Sequence, residues 1–275
     1  EKKHFIKTQL FALYAMQAIR YTKCMSTIRV GVVRGGTSSE YDVSLKTGAS
    51  VLKHLPERYV PVDILISKNG EWHAGGLPTR PEKILPHVDV VFNALHGAYG
   101  EDGVFQQLLE AHGVPYTGSD SLASAIGMNK SLARRRFAEA GIKIPYGMVL
   151  RADEYEEGGG QDGRFAVDLF RRFPQPSVAK PLSSGSSVGV RIAYTHEELS
   201  DALEYAFSFG DAVLIEEYIR GREATCGVVD DFRGHDTHAL LPVEIIKPKQ
   251  SRFFDYNAKY GGESQELCPS PNFSQ

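Results

Sequence analysis

Apolar and polar positions alternate along residues 28–118 in the order typical of a parallel α/β sheet. Apolar runs of strand length are separated by turn residues and by stretches with helical periodicity. The predicted strands are residues 28–33, 60–66 and 88–95, and the predicted helices are residues 43–55 and 104–111. A Lys68-Asn-Gly70 turn predicts a hairpin from the second strand to a short strand at Trp72. This order predicts a doubly wound sheet, in which ligands bind at the carboxyl ends of the strands.

Polar, Gly-rich turns follow the first and the third of these strands. The first turn ends in Glu40, and the second contains His96 and Glu101. Because the carboxyl ends of parallel strands share one sheet edge, we expect all three side chains at that edge. Two interpretations stay open for Glu40, which either caps the following helix or receives an ammonium group. His96 is likewise either a solvated or structurally bonded loop residue or part of a ligand site.

A Ser/Gly-rich hairpin is the most distinctive pattern in the second half. An apolar run ends at Lys180, five Ser or Gly residues stand among residues 182–187, and an extended pattern resumes at residues 188–192. Hydroxyl groups and backbone N–H groups in such a tip can close over an anionic ligand, to which Lys180 would add a point charge. Taken alone, the segment is equally typical of a mobile loop beside a strand lysine.

The helical patterns of the second half flank this hairpin. Residues 119–140 predict one long helix that carries Lys130, and residues 165–173 and 195–209 predict two more, the last with a capping box at its start. The basic run at residues 134–136 is interpreted as a solvated helix face, because no aromatic residues are interleaved with it. The Gly- and Glu-rich residues 151–164 predict a mobile surface loop.

Extended patterns follow the last of these helices. Residues 212–219 predict a strand with adjacent Glu216 and Glu217, whose side chains are expected on opposite faces. Further strands are predicted at residues 224–229 and 239–246. An aromatic loop then carries Lys259.

Composition and charge narrow the class of partner to a small molecule. The 275 residues include 42% hydrophobic and 24% charged residues, and the net charge is −3. This balance disfavours nucleic acid, and no apolar run reaches the ~20 residues of a membrane span. Cys24, Cys226 and Cys268 form no C-x-x-C pair, so we expect no disulfide framework or zinc site, and a cytoplasmic location. Neither a dinucleotide fingerprint nor a P-loop occurs.

Both ends of the chain are atypical of a complete natural sequence. Residues 1–27 are expected to be an extension outside the fold, either an amphipathic helix or translated upstream sequence, with a signal peptide as the weaker alternative. The last residues, ending at Gln275, are loop-like, and we expect a truncation there.

Six motifs stand in order between residues 28 and 271. They are Gly-Gly-Thr-Ser-Ser-Glu40, Leu-His-Gly-x-x-Gly-Glu-Asp-Gly103, Tyr-Thr-Gly-Ser119, Lys180-Pro followed by Gly-Ser-Ser-Val-Gly189, Val-Leu-Ile-Glu216, and Asp-Tyr-Asn-Ala-Lys-Tyr260. Each motif alone is weak, but their order and spacing are specific. With them the sequence resembles the D-alanine–D-alanine ligases of the ATP-grasp superfamily.

The resemblance implies an α/β fold in which a Rossmann-like domain precedes an ATP-grasp fold with an incomplete last domain. The implied divisions are an extension (1–27), an N-terminal substrate domain (28–119), a central ATP-grasp subdomain (120–213) and a partial C-terminal subdomain (214–275). The implied reaction uses ATP to convert one D-alanine into an acyl phosphate, which the amine of a second D-alanine attacks. The dipeptide serves peptidoglycan synthesis. A homodimer through the first domain is also implied.

The resemblance also assigns roles to individual residues. Glu40, Ser186 and Tyr260 would form the catalytic set that holds the first D-alanine, and His96 would lie near its carboxylate. The residues implied to bind ATP are Lys130 and Lys180 at the phosphates, Ser186 and Ser187 in the hairpin lid, Glu216 and the backbone of Glu217 and Ile219 at adenine, Glu223 at the ribose, and Lys259 at the transferred phosphoryl group. Tyr260 favours D-alanine as second substrate, since D-lactate-joining relatives carry histidine there.

Departures from the family pattern leave alternatives open. Leu-Ser-Ser stands between Pro181 and Gly185, where many relatives carry a charged residue, which predicts a somewhat weaker phosphate loop. The family's ligands for Mg²⁺ (or Mn²⁺) are expected beyond Gln275, so no metal ligand is predicted in this chain and little ligase activity is expected from it. The alternatives are a nucleotide-binding pseudoenzyme or fragment without ligase activity, and another ATP-grasp carboxylate–amine ligase.

Overall fold

The computed structural model describes residues 27–160, 162–246 and 264–273. The chain divides into two compact units, residues 1–128 and residues 129–275. The sequence places this boundary after residue 119, and the further boundary after residue 213 stays a prediction. Residues 1–26 of the predicted extension lie outside the described residues.

The first unit alternates strands and helices, as its pattern predicts. Its strands are β1 (Ile28–Gly35), β2 (Tyr59–Ile66), β3 (Trp72–Ala74), β4 (Leu77–Thr79) and β5 (Val90–Asn93). Its helices are α1 (Tyr41–His54), α2 (Pro81–Ile84), a 3₁₀ turn (Leu85–His87), α3 (Val104–Ala111) and α4 (Ser121–Met128). The predicted hairpin after β2 is confirmed, since Gly70 N donates to Ser67 O at 2.9 Å and β3 pairs antiparallel with β2.

The sheet of the first unit has the strand order β4-β3-β2-β1-β5. β1 lies between β2 and β5 and is parallel to both. Alternate residues of β1 therefore reach opposite faces, where Val32 packs near Val51 and Leu52 of α1, and Val33 packs in a cluster with Phe105 and Leu109 of α3. A helix on each face makes the sheet doubly wound, and the turns after β1 and β5 lie at one edge.

The second unit is built on antiparallel pairs. Its strands are β6 (Gly147–Arg151), β7 (Ser177–Pro181), β8 (Arg191–Ala193), β9 (Ala212–Glu217), β10 (Glu223–Thr225), β11 (Val228–Phe232), β12 (His235–Ala239), β13 (Val243–Ile246) and β14 (Gln265–Leu267). Its helices are α5 (Lys130–Glu139), α6 (Ala152–Glu157), α7 (Arg164–Arg172) and α8 (His196–Phe207).

The main sheet of the second unit has the strand order β6-β9-β7-β8, with every pair antiparallel. Its buried face packs against α7 and α8 through Ala166, Leu199 and Leu203. Thr195 caps α8, accepting a hydrogen bond from Glu198 N at 3.2 Å as the capping box predicts. Smaller sheets join β10-β13-β14 and β11-β12.

Two predictions about helices were wrong. The helical stretch at residues 119–140 is broken at Asn129, whose backbone is extended and whose side chain accepts hydrogen bonds from Ser131 N and Leu132 N. Asparagine competes with helical hydrogen bonding and favours the N-cap position, which starts α5 anew. The predicted loop at residues 151–164 contains α6, because Tyr155 is buried against the rings of Phe165 and Phe207.

No helix in the described part of the chain is both long enough and apolar enough to cross a membrane.

Ser44 is expected to be a large local contributor to the stability of the first unit. Its buried hydroxyl accepts from Gly35 N at 2.8 Å and donates to Ala94 O at 2.7 Å, which links the ends of β1 and β5 through α1. Ser44→Ala leaves a buried donor and a buried acceptor unpaired and should lower the free energy of unfolding by about 1–3 kcal/mol. Chemical denaturation of both proteins measures this difference. Ser50→Ala, an exposed change on the same helix, is the control and should change stability by less than about 0.5 kcal/mol. Equal effects of the two substitutions would contradict the linking role.

Candidate functional site

The two Gly-rich turns of the first unit are hydrogen-bonded to each other. Ser38 Oγ donates to His96 O at 2.6 Å, so the turn after β1 is tied to the turn after β5. Within the second turn Gly97 N donates to Glu101 Oε2 at 2.7 Å. Glu101 therefore has a structural role in shaping the turn.

Glu40 lies at the N-cap position of α1 and is only 6% exposed. The Glu40 side chain makes no capping hydrogen bond to the backbone of α1. Glu40 therefore occupies the N-cap position without capping the helix through its side chain. Its Oε2 lies against Gly97, where an added Cβ would come within 2.9 Å of it and where φ is +70°. The turn therefore requires glycine beside this carboxylate. A carboxylate placed at a helix N-terminus beside this turn can receive an ammonium group.

His96 is half-buried and is oriented by α1. Its Nε2 lies 2.9 Å from Thr47 Oγ1, and its backbone carbonyl accepts from Ser38. These contacts exclude a freely solvated His96, agree with a structurally bonded one, and leave the imidazole beside the turn that contains Glu40. The structure thus brings together both residues predicted for the first unit.

In the second unit a buried carboxylate lies between two cations. Glu216, at the end of β9, is 6% exposed, and one of its oxygens pairs with Lys180 Nζ while the other pairs with Arg134 Nη1. Arg134 Nη2 also donates to Pro145 O at 2.7 Å. Adjacent Glu217 turns the other way, as predicted, and accepts from Tyr146 N at 2.7 Å.

Lys130 joins the same group from the start of α5. Its Nζ donates to Pro181 O at 2.9 Å and to Ser184 O at 2.5 Å, and so lies beneath the Ser/Gly hairpin. Burial, reinforced by the neighbouring charge of Lys180, lowers the pKa of Lys130 to about 8, while Glu216 acts in the opposite direction. Two cations thus pair with Glu216 and a third lies nearby, and this surplus of positive charge suits a polyanion.

The tip of the hairpin adopts an unusual backbone. Ser186 and Ser187 have φ of 52° and 59°, a left-handed conformation that is uncommon for residues other than glycine. Within the tip Ser184 Oγ donates to Val188 O at 3.2 Å. Positive φ at two successive residues outside a regular helix is often maintained where a ligand is bound.

The residues predicted to meet adenine and ribose lie at the end of β9 and in the segment after it. Glu217 N already donates to Tyr146 O at 2.9 Å, so any contact from its backbone to a base has to come from its carbonyl oxygen. Ile219 is exposed, and Glu223 begins β10. These roles stay predictions. Lys259 and Tyr260 lie outside the described residues.

Arg134 is the site residue that the sequence interpretation missed. Residues 134–136 were expected to form a solvated face, and this holds only for Arg135 and Arg136, which are exposed and pair with Glu139. Arg134 is instead buried against Glu216. The available signal was its i, i+4 spacing from Lys130, which places both side chains on one helix face.

Comparisons with known proteins agree along nearly the whole described chain. A family model described as "D-ala D-ala ligase N-terminus" matches residues 29–84 and 76–119, and one described as "D-ala D-ala ligase C-terminus" matches residues 137–272. A D-alanine–D-alanine ligase from Geobacter sulfurreducens is 40% identical over 250 residues, which cover 89% of this chain and 70% of that protein. The chain belongs to the D-alanine–D-alanine ligase family.

Solved structures of this ligase family show the same fold. A D-alanine–D-alanine ligase from Bacillus anthracis has a TM-score of 0.65 at 34% identity, over 87% of this chain and 71% of that one. A D-Ala:D-Ser ligase from Enterococcus faecalis has a TM-score of 0.72 at 28% identity, over 90% and 78%. The predicted α/β, ATP-grasp fold is confirmed.

The described residues of this ligase-family chain do not fit a Mg²⁺ site. In residues 27–160, 162–246 and 264–273, no three His, Cys, Asp or Glu side chains converge as ligands. The buried carboxylate Glu216 is held by cations instead.

The lowered pKa of Lys130 predicts how stability varies with pH. The pKa of a lysine is ordinarily 10.5, and that of Lys130 in the folded protein is about 8. At pH values between these two, the unfolded chain therefore binds more protons than the folded one. Stability from this group must then rise with pH across that window. The free energy of unfolding of the native protein should increase relative to that of Lys130→Met between about pH 7.5 and about pH 9.5. Urea denaturation at both pH values tests this, and a constant or falling difference would contradict it.

Proposed function

We propose that this chain binds ATP in its second unit and D-alanine in its first, as part of an ATP-dependent ligase that joins two D-alanines for peptidoglycan synthesis. The observation that carries the proposal is the closeness of two lysines at the Ser/Gly hairpin: Lys180 pairs with Glu216, and Lys130 bonds the hairpin backbone within the electrostatic influence of both. Membership of the D-alanine–D-alanine ligase family supports the same reaction.

The second unit suits the triphosphate of ATP because its cations exceed its buried carboxylate. Burial and the neighbouring charge of Lys180 lower the pKa of Lys130, and an added anion would favour its charged form. The hairpin tip above Lys130 supplies hydroxyl groups and backbone N–H groups, which are good donors to phosphate oxygens. ATP supplies the phosphoryl group that activates a carboxylate, and the lysines hold its phosphates and neutralise their charge.

The first unit suits the ammonium group of an amino acid. Glu40 is buried and kept next to the turn by Gly97, so it offers a desolvated carboxylate that a charged ammonium can pair with. His96, oriented by Thr47, would lie beside the carboxylate end of the same substrate. This pair fixes the orientation of a small zwitterion, which is the main requirement for efficient acyl transfer.

Four finer points belong to the same proposal. D-alanine as the second substrate is proposed from Tyr260. A cytoplasmic location is supported by the family reaction and by exposed Cys226 and Cys268, which are free thiols. A homodimer through the first unit follows from the family resemblance. Dependence on Mg²⁺ is proposed for the family reaction, and its ligands are not assigned to the described residues.

The proposal predicts that the two units can be disabled separately. Lys180→Met should weaken ATP binding about 10- to 100-fold, because one charge-assisted contact of about 1.5–3 kcal/mol is removed. Glu40→Gln should leave ATP binding within about twofold, since it changes no charge in the second unit, while D-alanine binding is lost. Isothermal titration of the 275-residue chain with ATP and with D-alanine measures both effects.

Exposed residues of the same types provide the controls. Lys143→Met removes an exposed positive charge from the second unit, and Glu57→Gln removes an exposed negative charge from the first. Both should leave the affinities for ATP and for D-alanine unchanged. If Lys180→Met binds ATP as tightly as Lys143→Met does, the nucleotide site is wrongly placed. Retained ATP binding without D-alanine binding in the native chain would favour a nucleotide-binding protein without ligase activity.

A further inference from the structure

Arg134 differs from the two arginines that follow it in α5. Its side chain is 16% exposed, whereas those of Arg135 and Arg136 are 76% and 65% exposed and pair with Glu139 on the helix surface. Burying a guanidinium group is unfavourable unless it is paired and hydrogen-bonded. Its place in the second unit therefore needs a specific partner.

That partner is Glu216, and the surrounding strand makes room for the pair. Arg134 Nη1 contacts one oxygen of Glu216, and Nη2 donates to Pro145 O at 2.7 Å, which fixes the guanidinium plane. Gly147 of β6 pairs with Glu216 of β9, and a Cβ at Gly147 would lie 2.9 Å from Glu216 Cγ and 3.1 Å from Arg134 Nη2. The absence of a side chain at Gly147 thus lets the ion pair lie over the sheet.

Glu216 divides its two oxygens between Arg134 and Lys180. Lys180 can bind a phosphate fully only if its ion pair with Glu216 weakens. A buried carboxylate that depended on a single cation would hold that cation tightly, because an unpaired charge in this environment is strongly destabilised. With Arg134 fixed on the other oxygen, Glu216 stays paired when Lys180 turns toward an anion.

We propose that Arg134 is a positioning residue for nucleotide binding, which neutralises Glu216 so that Lys180 is available to the phosphates. The inference rests on the proposed function, because it takes Lys180 as a phosphate ligand. Arg134 itself need not touch the nucleotide. It acts through Glu216.

A double-mutant cycle between Arg134 and Glu216 tests this role. The dissociation constants of ATP and of inorganic tripolyphosphate are measured by isothermal titration for the native chain, Arg134→Met, Glu216→Gln and the double variant. Tripolyphosphate reports on the phosphate contacts without any contribution from an adenine contact of Glu216. Arg135→Met is the matched control, since it removes the same charge from the same helix.

Arg134→Met alone should weaken the binding of both ligands about tenfold or more, because Glu216 then has Lys180 as its remaining ion-pair partner and holds it away from the phosphates. In the Glu216→Gln background the same substitution should change tripolyphosphate binding less than about threefold, since no carboxylate competes for Lys180. Arg135→Met should stay within about twofold of the native chain. Arg134→Lys keeps the charge but lacks the planar guanidinium fork that bonds Glu216 and Pro145 O from separate nitrogens, and should give an intermediate loss.

Three results would overturn the inference, each in a different way. Equal losses from Arg134→Met in both backgrounds would show that Arg134 attracts the anion directly by its own charge. Equal affinities of Arg134→Met and Arg135→Met would show that Glu216 does not restrain Lys180. A native chain that binds neither ATP nor tripolyphosphate would overturn the proposed nucleotide site as well. Thermal unfolding monitored by circular dichroism confirms that each variant is folded, and Arg134→Lys replaces Arg134→Met in the cycle if the latter is not.

Discussion

Glu216 is a carboxylate in the interior of the second unit, and its burial dictates the placement of the charged groups around it. A buried negative charge is tolerated when cations and hydrogen-bond donors occupy its oxygens, and here Lys180 and Arg134 do so from β7 and α5. Three segments distant in sequence are thereby fixed at one point. Lys130, on the same helix as Arg134, adds a third cation nearby, so positive charge exceeds negative charge at this point.

In the first unit the backbone, rather than charge pairing, determines where the candidate site residues lie. Parallel strands bring the turns after β1 and β5 to one edge, and serine hydroxyls tie these turns to each other and to α1. Gly97 allows the Glu40 carboxylate to approach the turn closely. The acidic side chain is therefore held by packing and by turn geometry, while the cations of the second unit are held by charge.

Much of the local structure follows from the pattern of residues along the chain. The parallel strands of the first unit, the hairpin at Lys180 and the capping box at Thr195 were all predicted, because each depends on neighbours in sequence. The break at Asn129 was missed, although asparagine after Gly127-Met128 is a helix-start signal. The helix at residues 152–157 was missed because its stability comes from Tyr155 packing against distant aromatic rings.

Sequence alone was enough for the family and the α/β order of elements, since ordered motifs and periodicity are properties of the chain, and it proposed the lysines and acidic residues of the candidate site. Only the tertiary structure separated Arg134 from Arg135 and Arg136, which the pattern treats alike. It also showed that Glu216 is engaged by two cations at once. The physical reason is that burial and charge pairing depend on which segments fold against each other, and β9, β7 and α5 meet at Glu216 only in the folded protein.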